Sequence, residues 1–355
     1  MWEGWLELGA AKGSEQFALP LAVRAGRQVL ALGDEKLVGP LDYLNDARTF
    51  DGVRVLSELG PASLSAWWVR EVRFRRHDRR SEADFYGLYA TVRPRSQLVL
   101  EAFYLLKYDH EQEVEGERPG RAPLQVHSPG VRAVWRPVPA LELDLYAVVQ
   151  LGRFGRDPLL AGAGSVRARW RAPAWLRPLA HLGLEYHYGS GDLDPQDGRH
   201  HTFDNFFPTN HKFYGEMDLA SWRNASHLGA ELALQLAEWE LFDAPLAEPA
   251  GRWERLALRA RRALLPDRLP LGVKAAFWQF WLARRRDAWY DAAGRPLRRD
   301  PTGRAGRQVG CELDLSVQLG PARLVYSRFW PGPFAERTGA SGAATQLYVE
   351  LALAF

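Results

Sequence analysis

Arginine recurs at alternate positions in several segments of this 355-residue chain: Arg167, Arg169 and Arg171 form one run, Arg259 and Arg261 the end of another. A guanidinium stays charged at any physiological pH and forks onto carboxylates through parallel N–H donors, so a row of them on one face suits the gripping and passing of acidic groups. Arg54, Arg73, Arg132, Arg136 and Arg255, with Lys107 and Lys274, extend the set. Glu58, Glu71, Glu101, Asp109, Glu142, Asp144, Glu185, Glu312 and Asp314 sit on the same parity of their own segments. These acids would partly neutralise the cations and keep a bound anion from being trapped. Residue by residue, mutual salt bridging without a substrate explains such charges equally well; taken as a group, they favour anions.

Other chemistries fit less well. His200, His201 and His211 lie near Asp197 and Asp204, but their spacing matches no helix-borne or strand-borne ligand set, so a solvated or packed loop is expected rather than a metal site. Neither a nucleophile elbow nor a phosphate-cradling glycine loop stands at a strand-to-helix junction, so no catalytic residue and no cofactor is expected. Nucleic acid is not an expected partner, because the cations are spread through the strands and balanced by 43 acids. One cysteine excludes an intrachain disulfide. Lysine occurs at only five positions, leaving 41 of the 46 basic residues as arginine, a bias that a GC-rich genome would also produce.

The elements that position these residues are strands. Hydrophobic residues make up 46% and charged residues 25%, which describes a folded chain. No stretch reaches the roughly 20 apolar residues of a membrane-spanning helix. A mean hydropathy of −0.31 does not exclude a transmembrane barrel, whose alternating strands average out. From residue 50 the chain reads as strand, short turn, strand, long loop: 50–59 and 63–75 around Gly60-Pro61, 84–93 and 98–109, 127–136 and 141–153, 164–172 and 179–189, 310–319 and 322–330. The links 33–49, 110–126, 190–226, 285–308 and 331–344 are longer and polar. Leu141, Leu143, Leu145, Ala147 and Val149 share one parity against Glu142, Asp144, Tyr146 and Gln150; Val166, Ala168 and Trp170 oppose Ser165, Arg167, Arg169 and Arg171. So many charges on one face cannot pack dry, so the spacing predicts an all-β, antiparallel up-and-down transmembrane barrel with a hydrated bore and an apolar outer wall. Its complete form is expected to hold roughly 14 to 18 strands in one domain, with short periplasmic turns and long extracellular loops. The tryptophans 67, 68, 170, 278, 281 and 330 are expected at interfaces or in packing.

The last segment alternates Leu347, Val349, Leu351, Leu353 and Phe355 against Gln346, Tyr348 and Glu350, and Phe355 is the terminal residue. This resembles the final strand of bacterial outer-membrane barrels, which the barrel-assembly machinery reads. Counting back from it makes 20–32 an outward-running strand and 2–9 an inward-running one, so one or more strands and a signal peptide are expected to precede Met1. The stretch 226–252 fits either a strand or a helix within a loop.

At 202–224 the sequence reads TFDNFFPTNHKFYGEMDLASWRN, after EYHYGSGDLDPQDG at 185–198. Together with AGRQVLALGDEKLVG at 25–39, NDARTFDGVR at 45–54, GLYA at 87–90 and RDAWYDAAG at 286–294, this resembles the alginate export family of outer-membrane porins across nearly the whole chain. The resemblance places the family motif at Ser190, Gly191, Asp192, Phe203, Asp204, Phe207, Pro208, Thr209, His211, Gly215, Asp218 and Asn224, with Asp192, Asp204, His211 and Asp218 ordering a loop that narrows the lumen. Two departures are Lys36, where relatives carry arginine, and the poorly matching 228–252. The resemblance implies a channel in the bacterial outer membrane for passive, anion-selective passage of an anionic solute such as a uronate polysaccharide. Outer-membrane lipid and lipopolysaccharide surround such a protein. A barrel-embedded enzyme, or a surface binding protein with a loop-plugged lumen, is the alternative.

Overall fold

A computed structural model describes residues 3–9, 20–41, 43, 47–72, 83–240, 251 and 268–352. The strands are β1 (Gly4–Gly9), β2 (Leu21–Gln28), β3 (Phe50–Leu59), β4 (Ala62–Glu71), β5 (Asp84–Arg95) and β6 (Leu98–Val114). They continue as β7 (Ala122–Val138), β8 (Leu141–Phe154), β9 (Asp157–Arg171), β10 (Leu179–Gly189), β11 (Ala225–Glu240) and β12 (Arg268–Leu282). A small hairpin, β13 (Trp289–Tyr290) and β14 (Pro296–Arg298), precedes β15 (Gln308–Leu319), β16 (Ala322–Pro331), the one-turn helix α1 (Pro333–Thr338) and β17 (Ala344–Leu351). Apart from β13 and β14, the strands form one fifteen-stranded sheet in sequence order, every neighbour antiparallel. Among the described residues β1 and β17 are its two edges and do not pair with each other.

The sheet curls around its own loops. Tyr43, from the link between β2 and β3, stacks on His211 with centroids 4.2 Å apart, and His211 faces Glu216, which bonds both Arg323 of β16 and Tyr348 of β17. Elements at the two ends of the sheet therefore meet through one inward-folded loop.

Parity sorts the two faces as the alternation predicts. Leu145, Val149 and Leu151 of β8 are exposed on the outer face, while Asp144, Tyr146, Val148 and Gln150 are buried on the inner one. From Leu141 to Leu151 every outward residue of β8 is apolar. Ten residues at about 3.4 Å, tilted about 40°, span roughly 26 Å, which matches the apolar band of an outer-membrane barrel. On the inner face, Gly87, Gly130 and Gly229 stand beside Trp67, Phe103 and Trp278 on neighbouring strands, and a Cβ at any of the three would run into the ring. The missing side chain lets each ring lie flat along the wall.

Two boundaries differ from the sequence reading, and one open choice is resolved. β9 begins at Asp157 rather than 164, because residues 155–156 make a tight hairpin with β8 at the long-loop end; Gly155, with φ +61°, supplies the left-handed conformation that such a turn needs. β6 and β7 extend the 110–126 link's flanks, leaving only 115–121 as loop. Ser226 to Glu240 is strand rather than helix, paired along its length with β12; 241–250 lie outside the described residues.

Leu145 faces outward near the middle of the apolar band, so Leu145→Arg is expected to cost about 2–4 kcal/mol. Urea unfolding in lipid vesicles, followed by tryptophan fluorescence, measures this; an unperturbed midpoint would contradict the lipid-facing assignment.

Candidate functional site

The interior has two layers. Toward the long-loop end, residues 202–222 and 30–41 fold inward and build an aromatic core with the wall. Phe203 lies edge-on to Trp222, and Phe207 packs edge-on to Phe50 and Phe85 at 5.3 and 5.1 Å; Trp222, Tyr214, Phe203 and Phe85 are fully buried or nearly so. The sequence reading expected a hydrated bore narrowed by a folded loop. At the level of the loops the narrowing is complete: their covering excludes water, and buried apolar rings replace it.

Below the core lies a network of charges, with Arg132 at its hub. Its Nε and Nη2 grip both oxygens of Asp144 at 2.9 and 2.8 Å, Nη1 donates to Glu101 at 2.9 Å, and Arg167 shares Asp144 at 2.8 Å. Asp144 and Glu101 are buried, and an unpaired carboxylate there would cost several kcal/mol, so the bidentate geometry is what permits their burial. Lys36, only 1% exposed, reaches the same neighbourhood from the link between β2 and β3 and bonds Asp34 at 2.5 Å. Burial alone would raise the Asp34 carboxyl, but the charges of Lys36 and Arg132 and the Lys36 hydrogen bonds hold it below its ordinary value. A second group joins Glu231 to Lys274 at 2.5 Å, His181 at 2.6 Å and Arg169 at 3.6 Å.

The other inward charges are placed as follows. Arg136 pairs with Glu142 at 2.8 Å, Glu185 with His187 at 2.8 Å, and Glu71 with Arg48 at 3.0 Å. Lys107 bonds Asp204 at 3.1 Å, and Arg54 donates to Ser65 at 2.7 Å. Asp109 is buried, Glu58 and Arg171 are exposed, and Glu312 accepts the Met217 N–H at 2.9 Å beside the buried Asp314. Arg73, Arg255, Arg259, Arg261 and the terminal Phe355 lie outside the described residues.

The motif residues build the inserted loop. The Ser190 hydroxyl donates to the His201 carbonyl at 2.7 Å, and Gly191 leaves room for the Asn224 amide. Asn224 then staples the loop to its neighbour: Nδ2 donates to the Arg284 and Ala288 carbonyls at 3.0 and 2.9 Å, and Oδ1 accepts the Arg284 N–H at 2.6 Å. The Asp192 N–H donates to Asp287 at 2.9 Å. Asp204 pairs with Arg223 and Lys107, whose charges overcome burial and drive its carboxyl far down. The Pro208 carbonyl accepts from Arg48, Thr209 accepts the Leu41 N–H at 3.2 Å, and Gly215 gives Glu312 its room.

The three loop histidines go separate ways. His200 stacks on Phe154 at 4.1 Å, and burial lowers its pKa to about 4. His201 donates to the Leu160 carbonyl at 2.7 Å. His211 lies 3.1 Å from Asp218 and 3.5 Å from Glu216. Among the described residues no group of His, Cys, Asp and Glu is arranged for a metal ion. Sequence reasoning missed Asp34, Lys36, Glu216, Arg223, Glu231 and Arg323 as members of these networks. Lys36 stood out only as a departure from a family pattern, and the pairing of loop residues with distant strands leaves no periodic trace.

An alginate export family model matches residues 1–247, two thirds of the chain. The chain belongs to the alginate export family. The match stops short of RDAWYDAAG at 286–294. No curated protein matches this family member. Among solved structures, Pseudomonas aeruginosa OccK11 (OpdR) is similar with a TM-score of 0.53 at 16% identity, over 94% of this chain and 78% of that one. OccK10 (OpdN) of the same organism gives 0.49 at 13% identity over 87% and 74%, and OccAB4 of Acinetobacter baumannii 0.45 at 12% over 93% and 71%. The OccK11 likeness gives the fold of an outer-membrane porin barrel. This alginate export family chain is an outer-membrane β-barrel with the architecture of a transport channel.

His211 tethers the inserted loop electrostatically. Burial opposes its charged form, but the Asp218 hydrogen bond and the charges of Asp218 and Glu216 outweigh it and raise its pKa above 6.5. A raised value makes the contribution full below about pH 6.5 and lost as pH rises through the folded-state value. Protection of the 209–218 amides, measured as hydrogen exchange relative to the intrinsic rate at each pH, is expected to fall over that rise, and His211→Phe to remove that fall; an equal protection profile in the variant would contradict the tether.

Proposed function

We propose that this channel passes an anionic solute by passive, anion-selective diffusion, and that the solute carries repeated carboxylates, as a uronate polysaccharide does. The observation that carries the reading is the arginine run on β9. Arg167, Arg169 and Arg171 occupy successive inward positions, and their exposure rises toward the short-turn rim, from 21% and 33% to the exposed Arg171. Pairing weakens along the same path: Arg167 is bonded to Asp144 at 2.8 Å, Arg169 reaches Glu231 only at 3.6 Å, and Arg171 has no acidic partner among the described residues. A carboxylate arriving at the rim meets free guanidinium first and shared guanidinium deeper in, so each grip is strong enough to attract and weak enough to release. The Alginate export match and the porin fold support the same reading.

The inward-packed loop favours a second possibility, that the lumen is plugged and the protein binds its ligand at the surface. Planar-bilayer recording separates the two. An open conductance that polyuronates block is the expected result, and a barrel that never opens would favour the plug. In asymmetric salt the reversal potential of Arg167→Gln/Arg169→Gln/Arg171→Gln is expected to shift toward zero as anion preference falls; unchanged selectivity would remove the run from the mechanism.

A further inference from the structure

An outward-facing row of polar residues crosses seven strands in register. The register pairs Arg27 with Asp51, Asp51 with Arg70, Arg70 with Asp84, Asp84 with Tyr108, Tyr108 with Gln125, and Gln125 with Arg153. One step nearer the membrane centre, the outward residues on these strands include Val53, Trp68, Tyr86, Leu106 and Leu151. On β8 the outward residues are apolar from Leu141 to Leu151, so Arg153, the next outward position, lies just past the apolar band at the long-loop end, which faces the outer leaflet.

Most of the row is internally neutralised: Arg27 bonds Asp51 at 2.8 Å and Arg70 bonds Asp84 at 2.8 Å. Its last member, Arg153, is exposed and has no acidic partner among the described residues. Arg153 pairs with Pro158, and residues 199–201 run beside Pro158 as an added short rung: the His200 N–H donates to the Pro158 carbonyl at 3.0 Å and the Leu160 N–H to the His200 carbonyl at 3.1 Å. His200 turns inward onto Phe154, which leaves Arg199 and His201 on the outer side. Arg199 thus stands two strand spacings, roughly 10 Å, from Arg153. Arg156, at the tip of the hairpin between β8 and β9, is exposed as well.

Nearby acids are already committed to backbone donors. Asp157 accepts the Glu117 and Arg118 N–H groups at 2.5 and 3.1 Å, Glu117 accepts the Gly198 N–H at 2.7 Å, and Asp197 accepts the Arg199 N–H at 2.9 Å. Directly below the patch, Leu151 and Leu160 pair across β8 and β9 and are both about half exposed. Guanidinium without an ion-pair partner among the described residues, set above bare leucine, is complementary to one kind of occupant, an anionic headgroup carrying acyl chains.

We propose that Arg153 and Arg199, with Arg156, bind the phosphate of a phosphorylated outer-leaflet lipid whose acyl chains lie along Leu151 and Leu160. The test is native mass spectrometry of the full chain in detergent, titrated with lipid A or with the same lipid stripped of phosphate. Lipid A adducts are expected on the wild type and roughly 30-fold weaker on Arg153→Gln/Arg199→Gln, while Arg93→Gln/Arg95→Gln at the opposite rim keeps wild-type binding. Equal retention by both double variants, or equal binding of the dephosphorylated lipid, overturns the proposal. Displacement by inorganic phosphate would assign the patch to a free anion and overturn the lipid assignment. Should the first double variant fail to fold, the comparison of the two lipids on the wild type still decides.

Discussion

Every backbone amide of a wall standing in hydrocarbon must find its partner sideways, because neither water nor a side chain from lipid can supply one. That single requirement makes long, paired strands with a side-chain period of two, and it hands the outer half of the positions to lipid. On β8 the consequence is visible residue by residue: Leu145, Val149 and Leu151 go out, and Asp144, Tyr146 and Gln150 go in. Any action of this wall on a solute in the lumen has to come from the inner half.

Concentrating polar groups on one face creates a second problem, which the loops both cause and solve. Where residues 202–222 fill the bore, water is excluded, and an isolated inward charge would be costly. The wall answers with rings at that level, Trp67, Phe85, Phe103, Tyr146 and Trp278, and with tightly shared charges just below it. Arg132 satisfies three acceptor oxygens on two carboxylates, so neither Glu101 nor Asp144 is left exposed to a low-dielectric surrounding without a partner. The loop is in turn fixed by groups that belong to no single strand: Asn224 on the neighbouring loop, Glu216 on Arg323 and Tyr348, Arg48 on the carbonyls of Phe207 and Pro208.

The wall was legible in the sequence because its signal is local. Alternation over 141–150, 164–171 and 346–351 fixed which side chains face inward, and Pro and Gly marked most of the tight turns at the short-turn end. The hairpin at 155–156 escaped because it lies at the end where long loops were expected and because the Ala and Gly residues of 161–164 blur the alternation of β9. The loop's interior was legible only through resemblance. Phe203, Phe207 and Trp222 follow no period, and their partners, such as Tyr146 and Phe85, lie more than fifty residues away. Nothing short-range distinguishes a ring destined for a lumen core from one at a membrane interface.

The two layers together say where the wall can act on a solute. An inward charge fully shared with a buried partner projects little field, since each cation there is cancelled at contact distance. Arg132 is in that state, and it lies beneath the loop. Moving along β9 toward the short turns, the partners recede and water returns, so the same residue type passes from structural to available within a few positions. The electrostatic action of the channel is therefore set less by how many arginines it contains than by how closely the wall's own carboxylates pair them. Shifting the lower limit of that loop would hydrate these pairs but would leave Arg132 and Arg167 on their wall carboxylates, Glu101 and Asp144.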